Sequence, residues 1–217
     1  MFAKRPEPGQ VKTRLCPPFT PEQAAAFYAC MLEDVLEAST SAARALGLEA
    51  AIAVHPPEAA TTLPVPAGLR VEAQHGSDLG ARMEHALAHE LAAGRAPVLL
   101  RGSDSPTLGL DTLAAALAAL ERSDLVICPD RDGGYNLVGL GRAAPGLFAH
   151  PMSTGSVLGD TLAHAGARGL SHTLLPAGFD VDTAADLALL AAARERGAAR
   201  DCPRTLAYLD RHGLWQA

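Results

Sequence analysis

The chain has 217 residues, 48% of them hydrophobic, 19% charged and only 4% aromatic, and its formal net charge is −6 at pH 7. That length is most simply one domain, taken here as residues 1–217, and folding at this size buries roughly 70% of the unfolded surface. The acidic balance excludes a general nucleic-acid-binding surface, and no apolar run reaches the ~18 residues of a membrane span.

We also expect no leader segment. Cys16, Cys30, Cys128 and Cys202 form no C-x-x-C pair. Their spacing argues against a zinc or redox motif and fits a reducing, cytoplasmic setting.

A short apolar run, Met1 to Ala3, opens into a loop carrying Lys4, Arg5, Lys12 and Arg14. Such a dense cationic loop on an acidic chain points to a local anion site. Pro6 and Pro8 stiffen it, and Gly9 permits a turn or a close approach to a ligand. Lys12 and Arg14 are two apart, so in an extended stretch they project the same way. That suits a diphosphate or triphosphate; the alternative is a solvated surface loop. The opening run is shorter than a central strand of about 5–6 residues. Either a first strand is trimmed at its start, or the fold tolerates a stub there.

Thr20-Pro21-Glu22-Gln23 reads as a helix start, with Thr as N-cap, Pro at N1 and Gln at N3. The helix runs to Leu46, and Gly47 ends it. Strands follow at Leu48 to Val54 and Leu69 to Ala73. Asp78 to Ala93 is helical, and Gly94 stops it. A buried strand from Pro97 to Leu100 ends in the turn Arg101-Gly102-Ser103-Asp104-Ser105-Pro106. A helix is expected at Leu110 to Leu120, a strand at Asp124 to Cys128, and a glycine turn into a strand from Tyr135 to Leu140. Then come a helix from Ser156 to Ala165, a strand from Leu170 to Leu175, and helices from Thr183 to Arg196 and Pro203 to His212. Strands alternating with helices predict a mostly parallel sheet with helices on both faces. In such sheets ligands sit at the carboxyl ends of strands, where these polar motifs fall.

Asp104 sits directly after a strand, where a hard oxygen ligand for Mg²⁺ or Mn²⁺ beside substrate phosphates belongs; turn capping is the plain alternative. In Phe179-Asp180-Val181-Asp182-Thr183 the two aspartates alternate and share one side of an extended segment. Two carboxylates together need a cation or solvent. We favour Asp182 as ligand, with Asp180 second, while Asp182 or Thr183 caps the following helix together with Asp186. In Asp130-Arg131-Asp132-Gly133-Gly134-Tyr135-Asn136 the paired glycines let backbone N–H groups approach a substrate. Asp132 is placed to bind sugar hydroxyls or act as a base; an ordinary turn is the alternative. Gln74 and backbone near Gly76 are candidates to read a base edge, and Arg82 to reach a phosphate, unless Ser77 or Asp78 simply starts a helix there. Ser153-Thr154-Gly155 precedes a helix and is placed to hold a phosphate at its N-terminus or to cap it. His85 and His89 are spaced i, i+4, which we read as a solvated helix face. There is no nucleophile elbow and no P-loop, which weakens hydrolase and P-loop kinase readings.

Together, K-R-P-E-P-G-Q-V-K-T-R-L, Q-H-G-S-D-L-G-A-R-M, G-S-D-S-P-T-L, D-G-G-Y-N-L-V-G-L and F-D-V-D-T resemble one family in order and spacing. It is the small bacterial nucleotide-diphospho-sugar transferase-like proteins, the glycosyltransferases of arsenosugar and radical-SAM/selenodomain gene clusters. The resemblance covers Phe2 to about Leu190. It implies a GT-A-like, three-layer α/β/α fold with a mostly parallel central sheet. That fold is shared with 2-phospho-L-lactate and molybdenum cofactor guanylyltransferases. Carried over, Lys4, Gly9, Lys12 and Arg14 match the phosphate-binding loop, and Gln74, Gly76, Gly80 and Arg82 the nucleotide-recognition stretch. Asp104 matches the metal aspartate and Asp182 the second metal position. Asp132, Gly133, Gly134 and Tyr135, with Ser153 and Thr154, would face the acceptor or sugar. Two departures stand out: the near-missing first strand behind Lys4, and Met152-Ser153-Thr154 where the family often has Trp-Ser-Thr.

The resemblance implies a Mg²⁺- or Mn²⁺-dependent transferase taking a nucleotide-diphosphate sugar and a small-molecule acceptor. Lys12 and Arg14 would stabilise charge on the departing nucleotide, and Asp132 would be the base. A second reading is a nucleotidyltransferase joining an NTP to a phosphorylated metabolite with pyrophosphate release. A third is a non-catalytic nucleotide-binding protein on the same fold.

Overall fold

The computed structural model describes residues 1–215, so the last two residues of the expected domain lie outside the described residues. In chain order the elements are β1 (Phe2–Lys4), α1 (Pro21–Leu46), β2 (Ala51–His55), β3 (Arg70–Ala73), α2 (Leu79–Ala92), β4 (Val98–Arg101), α3 (Leu110–Leu120), β5 (Leu125–Pro129), β6 (Tyr135–Leu140), α4 (Val157–Ala167), β7 (His172–Leu174), α5 (Ala184–Glu195) and α6 (Pro203–His212). Two short 3-10 segments, Thr13–Leu15 and Pro57–Thr61, were not anticipated from the sequence.

Local sequence explains most of these boundaries. The Thr20 hydroxyl accepts from Gln23 N while the Gln23 side chain accepts from Thr20 N, a reciprocal cap that satisfies two donors left free at a helix start. Gly47 closes α1 at φ 68°, a left-handed value that costs glycine little. Between those ends Ala24, Phe27, Tyr28, Met31, Leu32, Val35 and Leu36 recur at helical spacing and are all buried. Asp78 caps α2 by accepting from Ala81 N at 2.9 Å.

The strands form two sheets. In one, β1, β2 and β3 run parallel in the order β1-β2-β3. The three-residue β1 is paired along its length with β2, from Phe2 opposite Ala53 to Lys4 opposite His55. In the other the order is β4-β6-β5-β7, with β5 and β7 parallel and β6 running against both β4 and β5. The sheets are therefore mostly parallel with one reversed strand.

Helices cover both faces. On β5, Leu125 and Ile127 pack with Met83 and Leu87 of α2 and Ala165 of α4. Val126 and Cys128 point the other way, to Leu113 and Ala116 of α3. That period-2 alternation, apolar on both sides, is what a strand buried on two faces requires. A third cluster joins Ile52 and Val54 of β2 to α1, α5 and α6. The buried Asp34 of α1 docks α6 by accepting from the backbone N and hydroxyl of Thr205, each at 2.8 Å. Among the described residues no helix is long and apolar enough to cross a membrane.

Candidate functional site

A cavity of about 410 Å³ opens where the carboxyl ends of β1 to β5 meet the amino end of β6. D-G-G-Y-N follows the carboxyl end of β5, as expected of these motifs, and because β6 turns back against β5 it also forms the amino end of β6. Of the residues singled out from sequence, Lys4, Lys12, Gln74, Arg82, Asp104, Asp132, Gly134, Tyr135, Ser153, Thr154, Asp180 and Asp182 line the cavity. Gly9, Arg14, Gly76, Gly80 and Gly133 do not.

The basic loop is not extended. Lys12 adopts φ 49°, ψ 34°, and Thr13–Leu15 make a 3-10 turn. This turns the Lys12 side chain inward until it is only 3% exposed. Its ammonium donates to Asp182 Oδ1 at 2.7 Å and pairs with Asp104 Oδ1. Burial alone would pull the lysine down, but the two carboxylates outweigh it and hold the ammonium above its ordinary value. Arg14 stays on the surface, with Nη1 3.8 Å from Asp182 Oδ2.

Two local features set the aspartates. Val181 N donates to Asp104 O at 2.9 Å, tying the 102–106 turn to the 180–182 segment. Capping of α5 falls to Thr183 and Asp186, whose Oδ2 accepts from Thr183 N at 2.7 Å. The Asp182 carboxylate is thereby left to face Lys12. Asp104 and Asp182 thus address one point between them, now held by an ammonium. Two hard oxygen ligands converging on a single cation position fit a Mg²⁺ or Mn²⁺ that takes its remaining ligands from phosphate and water.

Asp180 has a different role from its neighbour. It accepts a hydrogen bond from the Ser105 hydroxyl. Burial, then the nearby Asp104 carboxylate, pushes its carboxyl up from 3.8 to about 7. Because the folded value is raised, the folded state holds the proton more tightly. Its contribution to stability is complete below about pH 4 and is lost as pH rises toward about 7. Stability should therefore fall by on the order of 1 kcal/mol per pH unit across that window. In Asp180→Asn this component of the slope disappears. Urea midpoints between pH 4.5 and 7.5 measure it, and equal slopes in the two proteins would reject it.

Among the lining residues that sequence reasoning did not select, four have clear roles in the cavity. Arg101, buried at the end of β4, donates to Leu108 O at 2.8 Å and Ser105 O at 2.7 Å, and so holds the Asp104 turn from beneath. Burial lowers its guanidinium to about 10. The lone cation ending the apolar run Val98-Leu99-Leu100 was the available signal. Tyr28 gives no such signal, since an aromatic next to Phe27 in an Ala-rich helix reads as core. Its hydroxyl bonds Ser103 Oγ at 2.8 Å and accepts from Lys4 N at 3.0 Å, and its ring lies 5.8 Å from the Lys12 ammonium. His55, at the end of β2, is lowered by burial and then by Arg82 and Lys4, which places three basic groups at one end of the cavity. Asp130 is half-buried, is pushed up chiefly by burial, and accepts from Asp180 N at 3.2 Å.

Several candidates are engaged elsewhere. Gln74 donates its Nε2 to Ala3 O and Ala53 O, bracing β1 against β2, which leaves its Oε1 for a ligand. Asp132 Oδ1 accepts from Gly134 N at 2.8 Å and shapes its own turn. At Gly133, φ is 90° and an added Cβ would fall 2.1 Å from Gly155 O. This glycine exists to seat the turn against the segment before α4. His85 and His89 stack with centroids 6.2 Å apart on an exposed face. A grouping of Glu72, His89 and Glu90 within 4.8 Å lies outside the cavity. Its Glu90 is already held by Arg70 at 3.0 Å and Arg95 at 2.5 Å.

Among the described residues, five buried side-chain nitrogens or oxygens lack a partner: Arg5 Nε, His55 Nδ1, Arg82 Nε, and Asn136 Nδ2 and Oδ1. Four of the five belong to residues lining this cavity. Unmet polar atoms concentrated in one cleft are what a polar ligand would satisfy.

Residues 36–156 match the bacterial family described as "Uncharacterized protein conserved in bacteria (DUF2064)". No curated protein matches the chain. A crystal structure from Desulfovibrio desulfuricans G20, of a protein provisionally named a nucleotide-diphospho-sugar transferase, superposes with a TM-score of 0.86 at 30% identity. The match covers 99% of this chain and 94% of that one. The Rv0371c protein of Mycobacterium tuberculosis H37Rv shares the fold more distantly, with a TM-score of 0.50 at 22% identity over 72% of this chain and 82% of its own. The matched residues and the full-length superposition place the chain in the DUF2064 family, with a nucleotide-diphospho-sugar transferase-like fold.

Proposed function

We propose that the protein is a cytoplasmic, metal-dependent transferase that moves a sugar from a nucleotide diphosphate to a small-molecule acceptor. The observation that carries this reading is the convergence of Asp104 and Asp182 on one cation position. It lies in a cavity that also holds the D-G-G-Y-N turn and the S-T loop. Asp104 and Asp182 would hold Mg²⁺ or Mn²⁺. Bound there, the ion would neutralise charge on the diphosphate. Lys12 would stabilise the charge that develops on the departing nucleotide, and Arg14, outside the cavity but 3.8 Å from Asp182, would have to swing in to assist. The acceptor oxygen forms the new bond to the anomeric carbon as the bond to the diphosphate breaks. Asp132, with one oxygen fixed by its turn, would take the acceptor's proton through the other.

The second reading is nucleotidyl transfer. It is favoured by the placement of the basic loop, which runs on from β1 to Arg14, where it would cradle a triphosphate.

A thermal-shift panel separates the two. UDP-, GDP- and CDP-sugars are compared with UTP, GTP and CTP, each with and without Mn²⁺. A ligand at ten times its Kd adds roughly 1.4 kcal/mol, or about 3–6 °C for a chain of this size. A Mn²⁺-dependent shift with a sugar nucleotide is expected. A shift with an NTP alone, and pyrophosphate release, would move the assignment to the second reading. No shift with any of them would overturn both and leave a non-catalytic role.

A further inference from the structure

Among the described residues lining the cavity, Asn136 is the one whose side-chain polar atoms are all buried and without a partner. It sits on β6, between β4 and β5, and is 3% exposed. Its backbone carbonyl accepts from Gly102 N at 3.1 Å. Its side-chain Oδ1 and Nδ2 are both out of solvent and without a partner among the described residues. A carboxamide offers two donors and two lone pairs, and leaving them unmade in an interior is destabilising. The next positions along the strand, Leu137 and Val138, are apolar and fully packed. An apolar side chain of similar size would thus remove the penalty.

The surroundings say what the amide is suited to meet. Gly178 lies over it so closely that a Cβ there would fall 2.4 Å from Nδ2. Gly178 N donates to Pro129 O, and Asp180 N donates to Asp130 Oδ1 at 3.2 Å. These bonds run the 178–180 segment beside 129–130 and bring Asp130 and Asp180 to the same part of the cavity as Asn136. Above the raised range of Asp180 both aspartates are anionic and repel a phosphate or carboxylate group. A neutral polyol is not repelled: one hydroxyl can donate to a carboxylate while accepting from the amide N–H, and a neighbouring hydroxyl can donate to the amide oxygen.

We propose that Asn136, with Asp130 and Asp180 beside it, reads the hydroxyls of the transferred sugar, and so sets preference for the sugar-bearing nucleotide over the bare nucleoside diphosphate. The proposal rests on the nucleotide-sugar reading above and deepens it. It also gives Gly178 a purpose, since any larger residue there would displace the amide.

The test is calorimetric, with Mn²⁺ present throughout. UDP, GDP and CDP are titrated alongside UDP-glucose, GDP-mannose and CDP-glucose into the wild type, Asn136→Leu and Asn136→Ser. The serine variant keeps the experiment interpretable if leucine does not pack. In the folded variant the affinity for the bare diphosphate should stay within about twofold of wild type, while the sugar nucleotide loses at least about tenfold. A ratio of the two affinities equal to that of wild type overturns the proposal and leaves the transferase reading standing. Equal weakening of both ligands also overturns it, because the residue then supports the cavity as a whole. A wild type that binds the diphosphates but discriminates against every sugar-bearing form overturns the proposal together with the glycosyl reading.

Discussion

Lys12→Met is expected to abolish nucleotide-dependent stabilisation and, in the same protein, to raise affinity for free Mn²⁺ about tenfold. The ammonium stands where a metal would stand, held by Asp104 and Asp182, so an incoming ion must displace it. Two unit charges about 4 Å apart at an effective dielectric near 20 interact by about 4 kcal/mol. Tenfold, about 1.4 kcal/mol, is a modest fraction of that competition. Methionine keeps the length of the stem and fills the buried channel, so lost charge is separated from lost packing. Removing one member of a fully buried pair costs about 3–5 kcal/mol. Here the carboxylates are 39% and 35% exposed, so solvent screening reduces the stability loss to about 1–3 kcal/mol. Calorimetric titration of Mn²⁺ into the nucleotide-free proteins is the measurement. Unchanged or weaker binding in Lys12→Met would show that ammonium and metal do not share a position. The two functions assigned to Lys12, guarding the carboxylates when the cavity is empty and meeting phosphate when it is filled, would then be separate.

The largest loss of activity is expected from the aspartates. Asp104→Ala and Asp182→Ala should each lower kcat by about 10²–10³, the range for removing one preorganised electrostatic group. The double variant should be far from additive, because both carboxylates address the same cation. It also strands the Lys12 ammonium in a buried position, which costs about 3–5 kcal/mol and about 6–20 °C in melting temperature. Asp104→Asn with Asp182→Asn keeps hydrogen-bond acceptors for Lys12 and guards against simple unfolding. The main-chain bond from Val181 N to Asp104 O survives in every version, so the loops stay joined. Metal-dependent turnover retained in a folded double variant would refute the assignment of both residues.

The sequence carries the elements because they are locally determined. Thr20-Pro21-Glu22-Gln23 and Gly47 are sufficient to bound α1, since the donors and acceptors they satisfy lie within four residues of each cap. The apolar period of β5 marks a strand covered on both faces. The motif aspartates are legible for the same reason: Asp104 follows a strand directly, and Asp182 precedes a helix whose cap is supplied by Thr183 and Asp186.

What sequence alone could not supply is partnership. The turn from Asp130 to Gly134 is too short for a parallel crossover, so the reversal of β6 has a local cause, but its insertion between β4 and β5 emerges only from pairing. The extended reading of Lys12 and Arg14 gave way to a left-handed turn, because burying the ammonium against two carboxylates outweighs the backbone preference. Tyr28 and Arg101 are ordinary in the sequence and become site residues through bonds to loops at positions 103 and 105.

By itself, the sequence determined the elements, their caps and the residue types of the site, all short-range properties of the chain. Tertiary structure decided which carboxylates meet which cation, which glycines seat loops rather than ligands, and which polar side chains are left without partners. Those outcomes depend on long-range contacts, such as that between Lys12 and Asp182, 170 positions apart, and no local pattern encodes them.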